Sequence, residues 1–270
     1  MFGNLAQLVR YRALIQSLVA RELKARYRGS VLGFFWSFIN PLLLLLVYSF
    51  VFAYVLRSSM KGIQHYALFL FCGLLPWTWF SSSLLESSSV LISGGNLIKK
   101  VLFPAEVLPI VTVFANMVHF LLGLPILGLF LIYYQAPLTL GEIAWFPAVV
   151  FVQLVLTLGL ALVISALTVH FRDIKDILAN LLTFWFFATP IIYPLLPGTG
   201  PVAEMPRVAR TFFNLNPFTH LAVSYQEILY FQGPYGHWKW LLALGCASVV
   251  LFLVGYFVFD RLRDSFAEEV

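Results

Sequence analysis

Charge is scarce in this sequence: Asp, Glu, Lys and Arg make up 11 % of its 270 residues, against ~25 % in ordinary soluble domains. With 61 % hydrophobic residues, water cannot solvate most of the surface, which leaves an all-α integral membrane protein. Cysteine is nearly absent. Cys72 and Cys246 both fall inside apolar runs, which gives no support to a disulfide framework and points to buried, reduced thiols. Catalytic signatures are missing too. Gly94-Gly95 with Lys99-Lys100 lacks the second glycine and the hydroxyl of a phosphate-binding loop, and neither His-Glu-x-x-His nor a Cys/His cluster occurs. The chain is therefore expected to be no enzyme, to bind no cofactor and to hydrolyse no ATP unaided. No secretory leader is expected either, because Arg10, Arg12, Arg21, Lys24, Arg26 and Arg28 interrupt everything before the first long apolar run.

What is present is length without charge. A helix needs about 20 apolar residues to cross the hydrocarbon layer, and six stretches qualify: 32–56, 66–86, 107–133, 146–169, 178–196 and 240–259. None alternates with period two, so the β-barrel is excluded and a helical bundle remains. With six spans both ends share one side. That side carries 12 of the 17 Lys and Arg residues, while Arg57, Lys61, Arg207, Arg210 and Lys239 lie opposite, so both termini are expected in the cytoplasm. The net charge of +5 then follows from topology and lipid contact, with no nucleic-acid partner implied. The expected organisation is an N-terminal amphipathic helix over 1–31, a six-span domain over 32–260 and a cytoplasmic tail over 261–270.

Several segments are more than simple spans. Over 4–28, Leu5, Leu8, Tyr11, Ile15, Leu18, Val19 and Leu23 share one side of a helix, with Arg10, Ser17, Arg21, Lys24 and Arg28 opposite. This reads as an interfacial helix whose apolar face sinks to the headgroup boundary. Arg26 falls on the apolar side, where an ion pair with Glu22 is favoured over a role with a substrate phosphate. Between spans two and three, Leu97, Ile98, Val101 and Leu102 share a face flanked by Lys99 and Lys100; either this face lies in a groove on a partner protein or the segment is a basic connector. Asp173 and Asp176 suit capping of span five better than a Mg²⁺ site. From Thr189 to Pro217 inclusive, eight residues are Pro or Gly, so span five breaks on its outer side, where irregular backbone needs protein or a water-filled cavity for cover. Residues 218–231 form a second amphipathic helix. Aromatics crowd spans one and five, where packing against lipid competes with stacking on sugar rings. His119 reads as a hydrogen-bonded bundle residue before a proton relay.

The order of these fragments resembles the permease subunit of polysaccharide-exporting, ABC-2-type transporters, the Wzm-like O-antigen family with its capsular and teichoic-acid relatives. The resemblance rests on Leu23-Lys24-Ala25-Arg26-Tyr27-Arg28-Gly29-Ser30 with Leu32-Gly33 and Trp36, and on Gly73-Leu74-Leu75-Pro76-Trp77. Asn96-Leu97-Ile98-Lys99-Lys100 with Phe103-Pro104, Glu106 and Pro109 continues it, as do Arg172-Asp173-Ile174, Thr189-Pro190-Ile191-Ile192-Tyr193 and Asn216-Pro217. It implies a homodimer around one conduit in a bacterial inner membrane, with two separate ATPase subunits binding ATP and Mg²⁺. It also implies export of a lipid-linked polysaccharide in lipopolysaccharide biosynthesis. Under it, Asn96, Leu97, Ile98, Lys99, Lys100, Val101, Leu102 and Phe103 couple to the ATPase, and Arg26 and Arg28 meet the lipid diphosphate. Phe34, Trp36, Phe38, Tyr48, Phe184, Trp185, Phe187 and Tyr193 are then the conduit aromatics. Gln226 departs from the pattern, since many relatives carry arginine there. The rival readings are an exporter of another lipid or drug, a prenyl-diphosphate transferase using Asp173 and Asp176, and a proton-coupled carrier using His119.

Overall fold

The computed structural model describes residues 11–30, 32–51, 63, 65–95, 99, 104–136, 138–195, 207–231 and 234–269. Every regular element among them is helical. Helix α1 is Arg12–Arg26, α2 is Trp36–Ser49, α3 is Tyr66–Ser93 and α4 is Val107–Tyr133. A short α5, Leu140–Ile143, leads into α6, Phe146–His170, followed by α7, Ile174–Phe187. Then come α8, Arg207–Leu215, α9, Pro217–Leu229, α10, Trp238–Leu262, and the terminal α11, Phe266–Glu269.

Among the described residues, four segments are long and apolar enough to cross a membrane: Tyr66–Ser93, Val107–Tyr133, Leu140–His170 and Trp238–Ser265. At 1.5 Å per residue they reach about 40 Å, more than the hydrocarbon thickness. Helix α7, at 14 residues, is shorter than the span expected over 178–196; α2 also has 14 residues, and residues 52–56 of the span expected over 32–56 lie outside the described residues. For α7 the reason is local: Thr189 precedes Pro190, which disfavours helix at Thr189 and cannot donate to the ladder. Asp173 stands at the N-cap of α7 without a side-chain capping bond, and Asp176 lies in the first turn, so only the dipole part of the expected capping applies.

Helix α3 occupies the centre, touching α2, α4, α6, α7 and α9. Its Pro76 carbonyl accepts a hydrogen bond from Gln153 Nε2 of α6 at 2.8 Å. Helices α6 and α10 cross closely where Gly159 meets Gly255. A Cβ on Gly255 would stand 2.6 Å from the Gly159 carbonyl oxygen, a backbone atom that cannot swing aside. Between lipid tails, such close approach supplies packing that the hydrophobic effect does not. Gly255→Ala is therefore expected to destabilise the bundle by about 1–3 kcal/mol, read as a lower thermal unfolding midpoint in detergent.

The bundle has two distinct ends. At one, Leu91, Ala105, Leu108, Leu162, Ala166, Val169, Tyr256 and Phe259 close around Phe266, which is fully buried. His170 Nε2 meets Ser265 Oγ at 3.0 Å, and Arg263 lies 3.9 Å from Glu106. The start of α4 and the ends of α3, α6 and α10 are thus tied together with the last residues of the chain. Helix α1 docks here as well. Its Leu18 packs on Val107 and Val111 of α4, with Tyr11, Leu14, Ile15 and Val19 around them. Part of the apolar face expected at the headgroup boundary is thus spent on protein. At the far end, His65 stacks on Tyr134 with ring centroids 4.4 Å apart and Trp145 meets Tyr235. Large apolar side chains such as Leu129, Phe151, Val250 and Phe257 stay exposed, which hydrocarbon tolerates and water does not.

Candidate functional site

Two glycines at positive φ, Gly29 at 82° and Gly33 at 46°, turn the chain from α1 into α2, a conformation that a side chain would strain. Ser30 Oγ accepts from the Gly33 N–H at 3.1 Å. The turn swings the end of α1 beneath α2, and a cavity of ≈ 750 Å³ opens between α1, the turn, α2, α3 and α4. Its lining combines the polar side chains of Arg26, Tyr27, Ser30, Asn40, Thr78, Ser82, Asn116 and His119 with the apolar ones of Trp36, Pro41, Leu43, Leu44, Leu75, Trp79 and Phe120. Trp79 is fixed as a wall, stacked on Phe120 with its Nε1–H donating to the Val113 carbonyl.

Arg26 is the permanent cation among the described lining residues. Its partner is Glu86 of α3, at 2.6 Å from Nη2, and not Glu22 as the spacing within α1 had led us to expect. Arg26 Nη1 also donates to Asn116 Oδ1 at 3.0 Å, and Asn116 Nδ2 donates to the same Glu86 oxygen at 2.7 Å. The three side chains close a triangle. The cause lies on the helical wheel: Arg26 shares the side of α1 that turns toward the bundle, so its charge is satisfied by tertiary partners on α3 and α4. Tyr27 OH meets His119 Nδ1 at 3.0 Å, which gives His119 the hydrogen-bonded place expected of it. Arg28 is exposed and outside the cavity lining.

A second groove of ≈ 460 Å³ runs between α2, α3 and α7 and shares Leu44, Thr78 and Ser82 with the first. Ser81 and Thr183 add hydroxyls to it, and Tyr48 and Phe187 add rings. Thr78 donates to its own helix, to the Leu75 carbonyl, so an oxygen lone pair is what it offers the groove.

Of the conduit aromatics read from the sequence, Trp36 lines the cavity and Tyr48 and Phe187 line the groove, while Phe184 is exposed. Trp185 turns into the bundle, against Trp77 and Phe80, with Nε1 donating to Asn216 Oδ1 at 2.7 Å. Tyr193 donates to the Phe187 carbonyl. Phe38 is half-buried on α2, and the side chain of Phe34 lies outside the described residues. Of the coupling segment only Lys99 is described, as exposed; Asn96, Leu97, Ile98, Lys100, Val101, Leu102 and Phe103 lie outside the described set.

Three carbonyls at the break after α7 are met by side chains from other elements. Gln226 Nε2 donates to the Pro190 carbonyl at 2.8 Å, Tyr66 OH to that of Ile192 at 3.0 Å, and Asn216 Nδ2 to that of Ala188 at 3.1 Å. Gln226 is 1 % exposed, and a neutral donor suits that dry position. Gln226→Leu is expected to lose about 1–3 kcal/mol by leaving the Pro190 carbonyl unmatched, measurable as a lower unfolding midpoint.

Beside the break, His220 Nε2 donates to the Asn214 carbonyl and its Nδ1 lies 2.9 Å from His237 Nε2, so the neutral pair has His237 as donor. Glu227 accepts from the N–H groups of Gly236 and His237, and burial raises its pKa against those bonds. Burial, then the neighbouring His220, lowers the His237 pKa from 6.5 to about 4, and burial lowers that of His220. At the two histidines protons therefore bind the unfolded chain first, whereas the raised pKa of Glu227 acts in the opposite sense. The histidines' contribution, complete above about pH 6.5, is lost as the pH falls toward 4, so the unfolding midpoint is expected to drop less on acidification in His237→Gln than in the wild type.

Glu86, Asn116 and the α3 hydroxyls were not singled out from sequence, although a lone carboxylate within an apolar run was a readable signal. The ABC-2 type transporter family matches residues 13–230. The O-antigen export system permease protein RfbA of Myxococcus xanthus is 43 % identical over 265 residues, covering 98 % of both chains. RfbA of Klebsiella pneumoniae is 31 % identical over 256 residues, 94 % of each chain. The polysialic acid transport protein KpsM of Escherichia coli is 25 % identical over 229 residues, 80 % of this chain and 81 % of that protein.

Proposed function

The chain belongs to the ABC-2 type transporter family, and from that premise we propose that it is the permease subunit of an ABC exporter that moves a lipid-linked, O-antigen-like polysaccharide across the bacterial inner membrane. The observation that carries the substrate half of this reading is the cavity at the end of α1, whose lining holds the hydrogen-bonded pairs Arg26–Asn116 and Tyr27–His119 together with the apolar Trp36, Leu75, Trp79 and Phe120. A lipid diphosphate has the matching combination, an anionic head on a hydrocarbon tail. Arg26 and Asn116 would face the phosphates, and Arg28, exposed beside them, would draw anionic heads to the cavity from the leaflet surface. Power comes from a separate ATPase subunit holding ATP and Mg²⁺, one for each permease copy, seated against the segment 96–103.

Two copies of the chain enclose the conduit, α2 and α7 facing inward. Asn40, Asn180 and Thr183 are exposed on these helices, and polar groups at membrane depth are better served by a partner protomer or a wet passage than by lipid. The six-span topology, with both termini in the cytoplasm, is supported by the clustering of basic residues in the sequence at the end where α1 and α11 each pack near the start of α4. Deleting the gene in a host that displays the glycan tests the function. The expected result is loss of surface polysaccharide with lipid-linked glycan accumulating inside, restored by the intact chain. Normal surface glycan in the deletion strain, or nucleotide hydrolysis by the purified chain alone, overturns it.

A further inference from the structure

Glu86 pairs with residues of the cavity lining and is not itself among the residues that line it. The lining includes Arg26 and Asn116, and both donate to one oxygen of Glu86, at 2.6 Å and 2.7 Å. The guanidinium therefore serves a carboxylate and the cavity at once. An anion entering the cavity competes with Glu86 for the charge of that guanidinium. The side chains of Arg26 and Glu86 are 26 % and 38 % exposed, so the pair is screened enough to open and close enough to resist.

From this geometry we infer that Glu86 is a specificity-determining residue, one that sets the charge a headgroup must carry to engage Arg26. The inference rests on the headgroup reading of the cavity given above. The inner leaflet is full of anionic phospholipids whose single phosphodiester carries one negative charge, and such a headgroup gains too little to displace a carboxylate oxygen that already accepts from both Arg26 and Asn116. A diphosphate brings more charge and a second set of acceptor oxygens, enough to take over both donors. Discrimination of this kind needs a repulsive element as well as an attractive one, and Glu86 supplies it: its charge opposes every anion, and the weakly charged ones lose. Tyr27, Ser30 and His119 in the same lining offer neutral contacts and do not distinguish the two headgroups by charge.

The test uses the purified full chain in nanodiscs, with farnesyl diphosphate as the probe and quenching of tryptophan fluorescence, with Trp36 and Trp79 in the lining, as the signal. Binding is measured in phosphatidylcholine discs and in discs of mixed phosphatidylcholine and phosphatidylglycerol. The wild type is expected to bind equally in both. Glu86→Gln is expected to bind the probe in phosphatidylcholine and to lose about tenfold in apparent affinity when phosphatidylglycerol is present, the scale of one charge-assisted contact ceded to the phospholipid. Glu86→Asp, which keeps the carboxylate, is expected to restore indifference to phosphatidylglycerol and guards against a folding artefact. An identical response of wild type and Glu86→Gln to phosphatidylglycerol overturns the inference while leaving the headgroup site intact. Unchanged probe binding in Arg26→Ala instead overturns the headgroup reading itself.

Discussion

Replacing Arg26 by alanine is expected to cut surface display of the glycan by about ten- to a hundredfold, the worth of a hydrogen-bonded contact to a charged group. Arg26 is the permanent cation on the cavity wall, and no other described lining residue can replace it. The substitution also strips Glu86 and Asn116 of a partner, so its effect on stability has to be separated from its effect on export. The pair is partly exposed, and screened pairs of this kind contribute about 1 kcal/mol or less. The protein is therefore expected to fold and reach the membrane at near-normal levels. Arg26→Lys keeps the charge without the fork that meets Glu86 and Asn116 together, and an intermediate loss is expected from it. Immunoblotting of the membrane fraction beside a surface-glycan assay decides the matter. Full display in Arg26→Ala would show that the headgroup is held elsewhere.

Asn216→Ala carries the largest expected effect on stability. Its Oδ1 accepts from the Phe218 N–H, as the N-cap of α9, and from Trp185 Nε1. Its Nδ2 donates to the Ala188 carbonyl and to Thr189 Oγ1. One side chain thus caps a helix and fastens the broken end of α7, while itself only 8 % exposed. Losing the cap and orphaning buried groups adds to about 2–5 kcal/mol. The expected readout is a large fall in the unfolding midpoint in detergent, with a change in Trp185 emission as its indole loses a partner. Asn216→Asp keeps the cap and the acceptor for Trp185 but not the two donated bonds, and is expected to fall between. A midpoint within a degree or two of wild type in Asn216→Ala would mean that the break is held by Gln226 and Tyr66 alone.

These two residues show how differently the parts of the molecule were written in the sequence. Asn216-Pro217 was readable as a motif, yet its four bonds join α7, the break and α9, and nothing in local spacing names those partners. Arg26 was readable as a misfit on the apolar side of α1. The nearest carboxylate in sequence, Glu22, was the natural partner by helix geometry, and the tertiary fold chose Glu86 instead, 60 residues away.

Composition and the length of the apolar runs determined the solvent and the fold class, because a chain with so little charge has no other way to satisfy its backbone than helices in lipid. The distribution of Lys and Arg likewise marked the end of the bundle where α1 and α11 gather, since it is a property of the loops themselves. Only the tertiary structure decided which face of each helix turns inward, and that Arg26, Glu86 and Asn116 meet beside a cavity. The physical reason is that hydrocarbon is equally good solvent for every apolar face. In a span that is greasy all round, periodicity carries no inside and outside, and the few polar side chains find their places only once neighbouring helices have packed.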